Sequence, residues 1–311
     1  MENEKLPYIS VIITAYNRKK FLLNAIKSVL NQTLDKKYYE IIVIKNFTDE
    51  TIDDFINKNN IKRILMNGTV GEFLDKGILA ANGEIISFLD DDDLFFSNKL
   101  GIVYNEFKKD NTIVYYHNLS VPINENGETI NINGMNASLD FNMSSISIKK
   151  SIVKIYNADK INTSQDTLMY LYALESGKNI IKGKEKLTYY MFHNSISNIL
   201  STNFEEYKKF IITKSDLNLN KYILFRNIFQ SRKAIYYINS RTTDAQIYKY
   251  MFGSNKFPSK LINYIINSPG SLKFKIKLFI SCILIKVYPR SRKYISTKMW
   301  NTHNQRSNEM I

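Results

Sequence analysis

The chain has 311 residues, 44% of them hydrophobic and 23% charged, with 21 Tyr and 18 Phe. That allows one large domain or a domain with an appendage, and supplies enough apolar and aromatic side chain for a sizeable core, which excludes a globally disordered chain. The net charge of +14 is uneven: residues 205–311 hold 20 Lys and Arg against 5 Asp and Glu, so the whole excess lies in the last third. The single cysteine, Cys282, excludes an intrachain disulfide and a cysteine-built metal cage, and fits a reducing compartment. No run approaches the roughly 20 apolar residues of a membrane-spanning helix. The polar, mixed-charge start from Met1 to Pro7 lacks the form of a secretory leader.

In chain order, Tyr8 to Thr14 is nearly continuously apolar, as a buried central strand is. Asn17 is placed to cap the helix that follows, in which Phe21, Leu22, Ala25, Ile26, Val29 and Leu30 recur at helical spacing. Glu40 to Ile44 reads as a second buried strand, Asp49 to Asn57 as a helix and Ile61 to Met66 as a short strand. Phe73 to Ala81 reads as a helix stopped by Asn82-Gly83, and Ile85 to Leu89 as another buried strand. This alternation predicts an α/β fold, with a mostly parallel central sheet flanked by helices. Beyond it a helix is expected over Leu94–Phe107, strands over Thr112–Tyr116 and Ser144–Ile148, and a loop or hairpin over Asn124–Asn142. A helix from Asp166 to Glu175, stopped by Gly177, and a strand over Leu187–Phe192 follow. The organisation is therefore a sheet domain over 1–204 and a basic, mainly helical region over 205–311.

Ligands bind at the carboxyl ends of strands in such sheets. Those ends carry Thr14, Ala15, Tyr16, Asn17 and Arg18, then Lys45 and Asn46, then Asp90 to Asp93. Four adjacent carboxylates after a buried strand repel one another and call for a cation, and hard divalent ions take carboxylate oxygens. Mg2+ or Mn2+ held there neutralises a diphosphate leaving group. The plainer alternative is a solvated acidic turn ahead of the next helix.

Ile9-Ser-Val-Ile-Ile-Thr-Ala-Tyr-Asn-Arg18, Glu40-Ile-Ile-Val-Ile44 and the run from Gly77 through Asp93 resemble family 2 glycosyltransferases of the GT-A fold, and the resemblance extends over roughly Ile9 to Ser197. It implies a Rossmann-like domain, a nucleotide-diphosphate sugar donor, a DxD metal motif and inversion at the anomeric carbon. Asp90 and Asp92 fall on the DxD: Asp92 then touches the metal, Asp90 lies nearer the ribose, and Asp93 supports them. Ala15 and Tyr16 fall where the family packs the base, and Asp91 joins the donor-side residues. Two positions depart from the family. Lys45 stands where an Asp is usual after the second strand, and Phe73-Leu74-Asp75 replaces the usual Ala-Arg-Asn.

Gln165-Asp166 resembles the family's Glu-Asp pair, which makes Asp166 the general base; taken alone, Asp166 reads sooner as an ordinary N-cap or first-turn acid. His193-Asn-Ser-Ile-Ser197 resembles a His-x-x-Ser stretch, which makes His193 a contact for the metal or the diphosphate.

In the basic region, Leu272, Ile276, Phe279, Ile280, Ile283 and Val287 share one face of a helix, with Lys273 and Lys277 to one side. Arg290, Arg292, Lys293 and Lys298 follow Pro289, and no acidic residue occurs between Asp244 and Glu309. This predicts an interfacial helix at an anionic membrane, against the alternative of a helix packed on the first domain with its lysines merely solvated. No nucleic-acid-binding module is recognisable. The expected protein is thus a metal-dependent glycosyltransferase acting on a glycan or lipid-linked acceptor, cytoplasmic and peripheral at the inner face of the cell membrane. The alternative is a non-catalytic relative that binds a nucleotide or glycan.

Overall fold

The computed structural model describes residues 7–130, 142–154, 161, 164–192, 203–258, 260–268 and 271–308, with the backbone alone at 267 and 303–308. The chain divides into two compact units, the first ending at Phe192 and the second running on to the C-terminus.

The first unit opens with β1 (Ile9–Ala15), α1 (Leu22–Leu30), β2 (Tyr39–Lys45), α2 (Glu50–Lys58), β3 (Lys62–Leu65), α3 (Val70–Ala80) and β4 (Ile85–Asp90). β5 (Leu94–Phe95), α4 (Lys99–Lys109), β6 (Ile113–Ile123), β7 (Ile146–Lys149), α5 (Gln165–Ser176) and β8 (Asn179–Met191) complete it. The strands form one sheet in the order β3-β2-β1-β4-β7-β6-β8-β5. The β3-β2-β1-β4 half is parallel, β7 runs antiparallel to both β4 and β6, and β6 and β8 are parallel.

β1 is buried on both faces because helices cover both. Ile9, Val11, Ile13 and Ala15 share a core with Leu22, Ala25, Ile26 and Val29 of α1 and with Leu100, Val103 and Phe107 of α4. The other face meets α3 at Gly77, where a Cβ would stand 2.7 Å from Ile12 Cγ2 and 2.9 Å from Ile44 Cδ1. Only a residue without a side chain permits that approach. α3 is fixed at its start by a reciprocal cap: Glu72 N–H donates to Thr69 Oγ1 (3.2 Å) and Thr69 N–H to the Glu72 carboxylate (2.6 Å).

The structure departs from sequence expectation in three places here. Leu94 and Phe95 form a short strand rather than opening a helix, because they pair with β8 and the Phe96 N–H donates to Leu187 O at 3.0 Å. β6 and β8 are each several residues longer than their apolar patterns suggest. They pair along their length through register shifts, and Lys182, Lys184 and Lys186 interrupt the apolar pattern that would have marked β8. Asn17 does not cap α1: it takes a left-handed conformation (φ 57°), and the N-cap position is Phe21, without a side-chain bond.

The second unit, in its described residues, is helical: α6 (Phe204–Ile228), α7 (Arg232–Phe252), α8 (Leu261–Asn267), α9 (Leu272–Val287) and α10 (Ser291–Asn308). Its core gathers Tyr207, Ile247, Met251, Phe252, Leu261, Tyr264, Leu278, Cys282 and Ile285. Among the described residues no helix is long and apolar enough to cross a membrane.

Candidate active site

The sheet's registers assemble the site. β1 pairs with β4 so that Thr14 lies beside Asp90, and with β2 so that Ala15 lies beside Lys45. The carboxyl ends of three adjacent strands therefore emerge together. A cavity of about 230 Å³ opens there, lined by Thr14, Arg18, Val70, Leu74, Asp90, Met143 and Gln165 over Ile12, Phe88 and Leu89. Leu74, which replaces the family's arginine, gives this cavity an apolar wall.

The turn after β1 is held from β2. Asn17 N–H donates to Asn46 Oδ1 (2.8 Å), and Asn46 Nδ2 donates to Asn17 Oδ1 (2.7 Å). This pairing supports the left-handed Asn17, a conformation asparagine tolerates better than most residues. Tyr16 is 42% exposed and rests edge-on against Phe73, with centroids 5.7 Å apart. Lys45 behaves differently from its neighbours. It is fully buried, and its ammonium donates to Phe47 O and pairs with Asp53 Oδ1 of α2 at 2.7 Å. Its charge thus serves to brace β2 against α2.

Arg18 is thrown toward the acidic run. Its guanidinium hydrogen-bonds both oxygens of Asp91 and reaches Asp92 Oδ2 at 2.7 Å. Behind this pair, Asp93 is 1% exposed and accepts a hydrogen bond from Met191 N–H at 2.8 Å. Lys99 at the start of α4 is completely buried. Its ammonium donates to Ser144 O and to Thr188 Oγ1 (3.0 Å) and lies 3.9 Å from the Phe95 ring centre. Ser144 Oγ in turn accepts from Asp90 N–H at 2.9 Å. The aspartate run is therefore clamped from three segments of chain.

Electrostatics show what the clamp leaves unbalanced. Burial, then the charges of Asp92 and Asp91, push Asp90 up to about 8, with Arg18 pulling the other way and Asp166 adding to the rise. Burial lifts Asp91 to about 7 against the pull of Arg18. Asp93 is raised well above the carboxylate range by burial and by Asp92 and Asp90, while burial lowers Lys99 well below the usual lysine range, opposed by Asp93. Asp90 and Asp91 are thus biased toward protons that a divalent cation would displace.

Asp166 belongs to the same place. It stands in the first turn of α5, its Oδ1 accepting from Thr167 N–H at 2.6 Å, and its charge acts on both Asp90 and Tyr190. The adjacent Gln165 lines the cavity. The structure therefore brings together Thr14, Asp90, Asp91, Asp92 and Asp166, holds Asn17 and Asn46 at the rim, and directs the Lys45 ammonium elsewhere. His193 lies outside the described residues.

Sequence reasoning placed Arg18 at the end of β1 without giving it a role, and missed Lys99 and Ser144 as parts of this site. For Arg18 a signal existed: it is the first of three cations after β1, one strand away from four carboxylates. Lys99 and Ser144 carried none, since a lysine opening a helix ordinarily reads as solvated.

Among the described residues no three His, Cys, Asp or Glu side chains converge into a metal cage. The donor set nonetheless fits a hard cation. Such ions commonly take one or two carboxylates and complete their shell with water and substrate phosphates, and two carboxylates here already converge on one cation, Arg18.

Comparison with known proteins agrees with this architecture. An uncharacterised glycosyltransferase of Rickettsia bellii is 37% identical over 125 residues, which is 39% of this chain and 18% of that protein. Chondroitin synthase of Pasteurella multocida is 25% identical over 265 residues, 78% of this chain and 27% of the synthase. The chain thus spans about a quarter or less of the length of these relatives. A mannosyltransferase from Pyrobaculum calidifontis, solved with GDP-Man and Mn2+, superposes with a TM-score of 0.54 at 12% identity, covering 98% of this chain and 86% of that one, and shares the fold. The family model described as glycosyl transferase family 2 matches residues 10–165, half the chain and the part that carries every described site residue except Asp166, which follows it directly; the chain is a glycosyltransferase of family 2 with the GT-A fold.

Proposed function

We propose that this glycosyltransferase moves a sugar from a nucleotide diphosphate to an acceptor hydroxyl with inversion, aided by Mn2+ or Mg2+. The observation that supports the reading is that Asp90 and Gln165 line one strand-end cavity, with Asp92 beside Asp90 in the chain, Asp166 next to Gln165, and the charges of Asp92 and Asp166 both acting on Asp90. Asp92 and Asp90 would hold the metal, which when bound neutralises the departing diphosphate. Thr14, Ala15, Tyr16, Asn17, Asn46 and Asp91 form the donor side, with Tyr16 offering an exposed ring to the base. Arg18, already between Asp91 and Asp92, is placed to turn its guanidinium to the diphosphate when a metal takes the carboxylates.

Asp166 takes the proton from the acceptor oxygen as that oxygen bonds to the anomeric carbon and the donor's sugar–phosphate bond breaks. One base facing one leaving group gives a single displacement, hence inversion. A helix N-terminus favours the charged form of a first-turn carboxylate, and Asp166 stands in the first turn of α5. The resemblance to chondroitin synthase, together with the basic second unit, supports a glycan or lipid-linked acceptor and a place at the inner face of the cell membrane.

Thermal shift with UDP, GDP, dTDP and CDP, each with Mn2+, Mg2+ or EDTA, tests the donor site. One diphosphate should stabilise the protein in a metal-dependent way, and Asp92→Ala should abolish that stabilisation. Stabilisation that survives EDTA and Asp92→Ala would overturn the metal assignment.

A further inference from the structure

α9 shows the solvent the side that a soluble helix normally hides. Its inward residues are Lys275, Leu278, Cys282 and Ile285, and the Lys275 ammonium is taken up by Ser268 O at 2.8 Å. The opposite side carries Leu272, Ile276, Ile280, Ile283, Leu284 and Val287, all exposed, with Val287 at 70%. The face expected from the sequence to be apolar is therefore apolar and outward; of its members only Phe279 turns toward the core. The short α8 repeats the pattern: Leu261 and Tyr264 join the core shared with α9, while Ile262 and Ile266 are 67% and 72% exposed. Single exposed apolar residues are ordinary, but a stripe along four turns of one helix with a second helix beside it is not.

The charge around the stripe selects its occupant. Lys273 and Lys277 are exposed at its edge, Arg290 and Lys293 are exposed just past its end, and Tyr288 and Tyr294 stand out at 68% and 69%. Between Asp244 and Glu309 there are twelve Lys and Arg and no acid, so a second copy laid face to face would bring lysine against lysine. A surface that is apolar below and anionic above satisfies both features, and exposed tyrosines favour such an interface. We infer that the outward face of α8 and α9 docks on an anionic lipid bilayer. The apolar stripe enters the boundary of the acyl chains, and Lys273, Lys277, Arg290 and Lys293 lie among the phosphates. This rests on the inner-membrane placement proposed above and names the surface that achieves it.

Flotation of the full chain with vesicles tests the inference. The protein should float with vesicles containing phosphatidylglycerol, less with phosphatidylcholine alone, and the difference should shrink with salt. Replacing Ile276, Ile280 and Ile283 together by Ser should cut flotation by about tenfold or more. Lys273→Gln with Lys277→Gln should cost about tenfold on anionic vesicles and little on neutral ones. All these side chains are exposed, so the melting temperature and the stabilisation by a nucleoside diphosphate, measured without vesicles, should remain unchanged and separate a failure here from a failure of the donor site. No flotation of the parent chain, or equal flotation of the triple-serine variant, overturns the inference. A dimer in sedimentation that the triple-serine variant abolishes while flotation is kept assigns the face to a second copy.

Discussion

The two units treat charge in opposite ways. In the first, cations are set on carboxylates: Arg18 on Asp91 and Asp92, Lys45 and Arg63 on Asp53. In the second, twelve Lys and Arg follow Asp244 before another acid appears, and several stand exposed around an outward apolar stripe. The contrast separates two purposes. Paired cations in the first unit hold carboxylates in place, Arg18 at the aspartate run and Lys45 at Asp53. Uncompensated cations in the second act on whatever lies outside the protein.

The largest effect that would sharpen the comparison is on chemistry. Asp166→Asn keeps the size of the side chain and its place in the first turn of α5 but removes the carboxylate proposed as the proton acceptor. Turnover should fall by about 10²–10⁴-fold while metal-dependent diphosphate binding persists. A kcat close to that of the parent would remove Asp166 from its role. Next comes Lys99→Met, which leaves Ser144 O and Thr188 Oγ1 without their buried donor. Denaturant unfolding should show a loss of about 1–3 kcal/mol, the usual cost of leaving a buried polar group unsatisfied. Lys273→Gln, in the outward-facing set, should change stability by no more than about 0.5 kcal/mol. Equal losses in the two variants would erase the distinction between inward and outward cations.

The parallel half of the sheet was legible because its physics is local. β1, β2 and β4 are short apolar runs buried on two faces, α1 has clean helical spacing, and the Asp run stands at a strand end by sequence alone. β5 and the first half of β8 were not, since nothing in Leu94-Phe95 or in the lysine-broken start of β8 specifies a strand without the partner that pairs with it. The site divides likewise. Asp90 and Asp92 stood out by residue type and position, whereas Asp166 stood out only through the resemblance to family 2 and the acidic run upstream of it. Arg18, Lys99 and Ser144 act through contacts 44 to 89 residues away in sequence, which no local pattern carries. The helix α9 is the instructive intermediate: its apolar face was legible, but which way that face points depends on Leu278, Cys282 and Ile285 meeting α7 and α8.

The smallest effect, and the one most specific to the inward-facing charges, is on pH dependence. Asp90 and Asp91 titrate near 8 and 7 in the folded chain, above the ordinary 3.8. The folded state therefore binds more protons than the unfolded one between those limits, and stability without metal falls as pH rises from about 4 toward 8. A metal needs the same oxygens deprotonated, so its stabilising effect grows over the same range. Between pH 5 and 8 the melting temperature should drop by a few degrees in EDTA, while the increment from Mn2+ with the cognate diphosphate rises. Asp90→Asn removes the stronger of the two titrations, and its EDTA profile should be flatter than that of the parent. A slope unchanged in Asp90→Asn would place the pH dependence elsewhere and leave the acidic run electrostatically satisfied by Arg18 alone.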